Sequence, residues 1–143
     1  MFFGEYEHTM DPKGRISMPA RFRDKLSETF YITKGLDQCL FIFPESEWLI
    51  IEEKLKALPL TQSNARQFVR AFYAGAMDCD LDKQGRMMLS QNLREYAKLD
   101  KDVVLIGVST RIEVWSKATW DAYQTDGSQS YEALAEQLAQ LGI

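Results

Sequence analysis

Polar and apolar positions alternate in two short stretches of this chain. Tyr6, His8 and Met10 interleave with Glu5, Glu7 and Thr9. Met77, Cys79 and Leu81 interleave with Asp78, Asp80 and Asp82. A period of two with one apolar face predicts a half-buried strand in each place. A turn follows each strand: Asp11-Pro12-Lys13-Gly14-Arg15 in the first, Asp82-Lys83-Gln84-Gly85-Arg86 in the second. Asp favours the first position of a type I turn and Gly the fourth. Gly14 and Gly85 also take a positive φ cheaply, as a hairpin with a G1 bulge requires. Ile16-Ser17-Met18 and Met87-Met88-Leu89 then read as returning strands, which puts each turn at the tip of a β-hairpin.

The parallel continues downstream. Pro19 suits a first helical turn, with Phe22 and Leu26 on one face. Ser90 suits a helix N-cap, with Leu93, Tyr96 and Ala97 as the stripe. Phe30–Thr33 and Leu40–Phe43 predict a hairpin through Gly35-Leu36-Asp37-Gln38, and Val103–Ile106 and Ile112–Trp115 predict another around Gly107. The first hairpins align at an offset of 71 residues and the second at 72, placing Gly35 on Gly107 and Trp48 on Trp120. Helices are expected from Pro44, with Trp48, Ile51 and Leu55 inward, and over Ser63–Ala74, with Ala65, Phe68, Val69 and Phe72 inward. Trp120 should begin a shorter helical turn, residues 124–130 should form a loop, and a last helix near Tyr131–Leu141 carries Leu134, Leu138 and Leu141.

Two units of one plan, residues 1–76 and 77–143, are therefore expected. Each is marginal in stability alone. Exchange of hairpins between them would help close a sheet and remove exposed edges, giving one pseudo-symmetric, strand-rich α+β body.

Composition adds boundaries. The chain has 143 residues, 45% hydrophobic and 27% charged, enough for a core. No apolar run approaches the roughly 20 residues of a membrane span, and Met1-Phe2-Phe3-Gly4-Glu5 lacks the basic and apolar regions of a signal peptide. The net charge of −4 argues mildly against nucleic acid. Its distribution softens that objection. Between Asp11 and Lys25, five bases (Lys13, Arg15, Arg21, Arg23, Lys25) face two acids (Asp11, Asp24). From Lys117 onward a single base faces Asp121, Asp126, Glu132 and Glu136. A basic face on an acidic body fits.

Catalytic and metal readings find little support. Asp78-x-Asp80-x-Asp82 begins like a calcium loop, but the sixth and twelfth places hold Lys83 and Leu89 where Gly and Glu are needed. His8 is the only histidine and sits on the apolar side of a strand. Cys39 and Cys79 have no metal-type spacing and read as reduced thiols of a cytosolic protein. Neither an enzyme, a cofactor nor a metal is expected.

The two Asp-x-x-Gly-Arg copies, the opening Met1-Phe2-Phe3-Gly4-Glu5-Tyr6 and the run Arg15-Ile16-Ser17-Met18-Pro19-Ala20 make the chain resemble the MraZ family, bacterial proteins of two tandem SpoVT/AbrB-type domains. The resemblance covers essentially the whole chain. It implies a swapped-hairpin, AbrB-like β-barrel with flanking helices. It implies a cytoplasmic, nucleoid-associated transcriptional regulator, expected to repress the division and cell-wall gene cluster including its own promoter. It also implies ring-shaped homo-oligomers bound to direct repeats in double-stranded DNA.

The residues suit that chemistry. Arg15 and Arg86 can each bond guanine O6 and N7, or clamp a phosphate. Lys13 and Lys83 flank the turns and suit phosphates, as do Arg21 and Arg23 less directly. Gly14 and Gly85 shape the turns, and Asp11 and Asp82 are expected to shape them or to orient the arginines rather than touch DNA. The first copy should bind more strongly, because Pro12 stiffens it and three aspartates approach the second. A bidentate Arg–guanine contact discriminates by roughly 1–3 kcal/mol. Specific binding needs on the order of 11–15 kcal/mol. Two small loops fall short, so several chains acting together are expected. The rival expectations are an antitoxin-like protein-interaction module and, less favoured, an oligomeric hydrolase using the loop carboxylates.

Overall fold

The computed structural model describes residues 1–126, 130–138 and 142. Its strands are β1 (Phe2–Thr9), β2 (Arg15–Ser17), β3 (Thr29–Lys34), β4 (Leu40–Pro44), β5 (Met77–Asp80), β6 (Arg86–Met88), β7 (Asp102–Ser109) and β8 (Arg111–Ser116). Its helices are α1 (Ala20–Arg23), α2 (Glu45–Lys56), α3 (Ser63–Ala74), α4 (Gln91–Tyr96), α5 (Lys117–Asp126) and α6 (Tyr131–Gln137). The fold is α+β. Six strands form an antiparallel sheet in the order β1-β7-β8-β4-β3-β5, and β2 and β6 form a separate two-stranded ribbon.

This order corrects the simple hairpin expected at each motif. A single bridge, Met10 to Ile16, closes the first turn. Beyond it the strands part: β1 pairs with β7, and β2 pairs with β6. In the other half β5 pairs with β3. Each motif thus sends its two arms to different partners in the opposite half. The physical reason is burial. Pairing β2 with β6 turns Ile16 and Met87 inward together, both fully buried.

The register reveals the internal symmetry. Ile16 pairs with Met87, its own equivalent at the 71-residue offset, and Phe41 pairs with Glu113, its equivalent at 72. A pseudo-two-fold axis therefore passes through the ribbon and between β4 and β8. Strand β3 matches β7 at an offset of 73: Phe30 and Val103 are opposite Cys79 and His8, and Ile32 and Leu105 are opposite Met77 and Tyr6. The β7–β8 hairpin is consequently one residue shorter than β3–β4. Gly107 is not the counterpart of Gly35. It lies inside β7 opposite Gly4, where a Cβ would come within 2.6 Å of the Phe3 Cα.

The expected closed barrel is also corrected. The six-stranded sheet remains open, with β1 and β5 at its edges. Its inner face packs on the ribbon and the short helices α1 and α4. Phe30, Ile32, Leu40, Ile42, Leu105, Ile112 and Val114 meet Ile16, Met18, Phe22, Met87, Leu89 and Leu93 there. Phe22 stacks edge-on against both Phe2 and Tyr6. Its outer face carries Trp48 and Phe72 over Phe43, and Trp120 over Trp115 and Val104.

Local signals explain several helix ends. Ser90 caps α4, its hydroxyl accepting from the Leu93 N–H at 3.3 Å. Pro19 precedes α1 as its N-cap rather than entering the first turn. Glu45 and Glu47 sit at the positive end of α2, and Lys54 and Lys56 at its negative end. Phe68 faces outward on α3 although Phe72 is buried. Helix α5 runs ten residues, through positions 124–126 that were expected to be loop. Leu134 of α6 and Leu138, its C-cap, are exposed, and Leu141 lies outside the described residues. Among the described residues, no helix is long and apolar enough to cross a membrane.

Candidate nucleic-acid interface

Each Asp-x-x-Gly-Arg turn is wired through its aspartate. The Gly14 N–H donates to the Asp11 carbonyl at 2.9 Å, and the Asp11 N–H donates to the Arg15 carbonyl at 3.0 Å. Asp11 Oδ1 accepts from the backbone N–H groups of Lys13 (3.0 Å) and Arg15 (2.9 Å). Asp11 Oδ2 accepts from Arg15 Nε at 2.6 Å. The second turn repeats this: Asp82 Oδ1 accepts from the N–H groups of Gln84 and Arg86, both at 2.9 Å, and Oδ2 from Arg86 Nε at 3.0 Å. An ionised carboxylate, which only accepts, suits three donors on its two oxygens. The Arg15 N–H and guanidinium hold Asp11 below the usual aspartate range. The N–H groups of Arg86 and Gln84, with the Arg86 guanidinium, do the same for Asp82. Gly14 and Gly85 have φ of +85° and +76°, which only glycine adopts without strain.

The turns are locked to each other. The Met18 N–H donates to the Gly85 carbonyl and the Leu89 N–H to the Gly14 carbonyl, both at 2.9 Å. These two bonds extend the β2–β6 ladder at either end. Arg15 is paired with Met88 and Arg86 with Ser17. Alternation along the strands therefore puts Arg15, Ser17, Arg86 and Met88 on the outer face, opposite buried Ile16 and Met87. Arg15 and Arg86 are diagonal neighbours on it, within reach of each other's long side chains. Met88, half exposed at 56%, is the apolar component of that face.

The two arginines differ in what remains free. Both commit Nε to their own aspartate. Arg86 Nη2 also donates to Gln84 Oε1 at 2.6 Å. The Arg15 Nη groups have no partner among the described residues. Lys13 and Lys83 are exposed on the turns. Asp78 and Asp80 are exposed on β5, and Asp80 Oδ1 accepts from the Thr29 hydroxyl at 2.6 Å.

The other sequence candidates separate. Arg21 is not brought to the turns; it borders a hollow with Met1, Phe3, Asp24 and Lys25. Arg23 crosses to the opposite half and lies over Gly85, in the space where a side chain would begin. Its counterpart 71 residues on, Arg94, lies over Gly14: a Cβ there would be 2.8 Å from Arg94 Nε. Sequence reading passed over Arg94, although the offset linking the two motifs also links it to Arg23.

Burial pushes the Cys39 thiol up to about 12 and raises that of Cys79. Burial lowers the His8 pKa. Among the described residues, no three His, Cys, Asp or Glu side chains gather as a metal site.

Fold and site together define an α+β protein of two interleaved repeats that presents a pair of aspartate-anchored arginines on a central ribbon. The chain belongs to the MraZ family. The family model described as "MraZ protein, putative antitoxin-like" matches residues 1–71 and again 72–141. A protein of Carboxydothermus hydrogenoformans is 59% identical over 138 residues, 96% of each chain. One of Desulfitobacterium hafniense (strain DSM 10664 / DCB-2) is 59% identical and one of Moorella thermoacetica 55% identical, each over 143 residues and the full length of both chains. All three are named "Transcriptional regulator MraZ".

Proposed function

We propose that this protein is a sequence-specific, DNA-binding transcriptional regulator whose reading element is the outer face of the β2–β6 ribbon. The observation carrying this is the diagonal pair Arg15 and Arg86 on the ribbon's outer face, each fixed by an aspartate at Nε. A two-stranded ribbon fits the major groove, and a guanidinium can bond guanine through two N–H groups. Lys13 and Lys83 flank it as phosphate contacts. Free Nη groups on Arg15, against the Gln84-tethered Arg86, support stronger binding by the first copy.

The names of the relatives support transcriptional regulation, and the family resemblance supports the finer reading. In that reading the two repeats, 1–76 and 77–143, exchange strands across one pseudo-two-fold axis. The protein represses the division and cell-wall gene cluster, including its own promoter. It binds direct repeats as a ring-shaped homo-oligomer in the cytoplasm, at the nucleoid, without cofactor or enzymatic chemistry. A second reading, an antitoxin-like module, is favoured by the exposed Leu134 on α6 and Leu138 at its C-cap, which would seat a protein partner. The test is a gel-shift with the DNA upstream of the protein's own gene, combined with the mass of the free and bound assembly. Discrete complexes at moderate salt support regulation. No binding to that DNA or to other genomic DNA favours the second reading.

A further inference from the structure

Arg23 and Arg94 form a second pair of arginines related by the same pseudo-two-fold axis as Arg15 and Arg86. Each belongs to one half and rests on the other half's turn. Arg94 Nε, Cδ and Cζ all lie within 3.0 Å of where a Gly14 Cβ would stand. Arg23 Cζ and Cδ approach the corresponding point at Gly85 to 3.1 and 3.4 Å. The missing side chain at the fourth motif position is thus filled by a guanidinium from across the axis.

Neither guanidinium has a protein anion. Among the described residues, Arg15, Arg86 and Arg111 are each ion-paired with a carboxylate, whereas Arg23 and Arg94 make no ion pair and no side-chain hydrogen bond. Arg94 Nε is buried without an acceptor. Arg94 borders an open cleft of about 710 Å³ together with Lys98 and Lys101, and with Asp11, Glu95 and Asp100. Those acids do not hold it: Asp11 is taken by Arg15, Glu95 accepts the Gln91 amide at 3.0 Å, and Asp100 is exposed. A packed, unpaired arginine one residue from the base-reading Arg15 is placed for an anion supplied from outside.

We propose that Arg94 binds a backbone phosphate of double-stranded DNA beside the first turn, as Arg23 does beside the second. The four arginines then divide by role. Arg15 and Arg86 read bases from the ribbon, while Arg94 and Arg23 fix the ribbon's register on the duplex from either side. This inference rests on the DNA-binding reading above.

Salt dependence tests it, because each phosphate contact contributes about 0.9 to the slope of log affinity against log salt. Wild type, Arg94→Gln, Arg94→Lys and Arg23→Gln are titrated with the DNA upstream of the gene and with an unrelated duplex of equal length. The expected result for Arg94→Gln is a loss of roughly tenfold on both duplexes, with a slope shallower by about 0.9 for each contact removed. Arg94→Lys should keep most of the slope. Arg23→Gln, at an exposed position, should behave like Arg94→Gln and decides the matter if the latter unfolds. A folded Arg94→Gln protein with unchanged affinity overturns the proposal. So does lost affinity at the wild-type slope, which would make Arg94 a packing residue. If wild type itself binds neither duplex, the DNA-binding reading falls first and this inference with it.

Discussion

Asp11 and Arg15 are joined twice, once through the Arg15 backbone N–H to Oδ1 at 2.9 Å and once through Nε to Oδ2 at 2.6 Å. One carboxylate therefore sets both the turn and the direction of the guanidinium. Because folding lowers the Asp11 pKa, its stabilising effect is full above the pKa of the unfolded chain and disappears as pH falls through the folded value. Asp11→Asn should melt below wild type at neutral pH, and the gap should close in acid. Thermal melts across that range check this. A gap that stayed constant with pH would mean that the ionised carboxylate is not what matters.

Gly14 is constrained both by its φ of +85° and by Arg94 above it. Gly14→Ala should cost about 1–3 kcal/mol from backbone strain alone, with a further loss from displaced Arg94. Urea unfolding of Gly14→Ala, Arg94→Ala and the double variant separates the two contributions. The double variant should be more stable than the sum of the single losses.

Gly107 makes a similar demand without a turn. β1 lies so close that an added methyl would meet the Phe2–Phe3 backbone. Gly107→Ala should destabilise by roughly 1–3 kcal/mol, as overpacking does. Hydrogen exchange should show the loss concentrated in β1, since that edge strand has only β7 as its sheet neighbour. Equal loss of protection in β5 would argue against this local origin.

The sequence made Gly107 legible only as a turn glycine. A glycine chosen for φ and one chosen for close approach look alike until the neighbouring strand is placed. Alternation likewise identified β1 and β5 as strands, the turns implied β2 and β6 as the returning ones, and the doubled motif identified Asp11, Gly14, Arg15 and their counterparts as one device. Neither could name partners. Tyr6, His8 and Met10 show an apolar face, but not that β1 lies against β7 rather than β2. The open sheet has the same cause, because closure depends on pairing at the edges. Arg94 was legible only through the repeat. No local feature of Leu93-Arg94-Glu95 marks it, and its contact with Gly14 spans 80 residues.

The claim at the centre of this account is that Arg15 reads DNA from the ribbon while contributing little to the fold. Its side chain is one-third exposed, and its ion pair with Asp11 lies near the surface, where such pairs contribute about 0–1 kcal/mol. The direct measurement is the affinity of Arg15→Ala for the DNA upstream of the gene, against an unrelated duplex, with a thermal melt of the same sample. The account predicts a melting temperature near that of wild type and loss of preference for the upstream DNA, with Arg86→Ala impaired to a smaller degree. A folded Arg15→Ala protein that kept wild-type affinity and preference would contradict it.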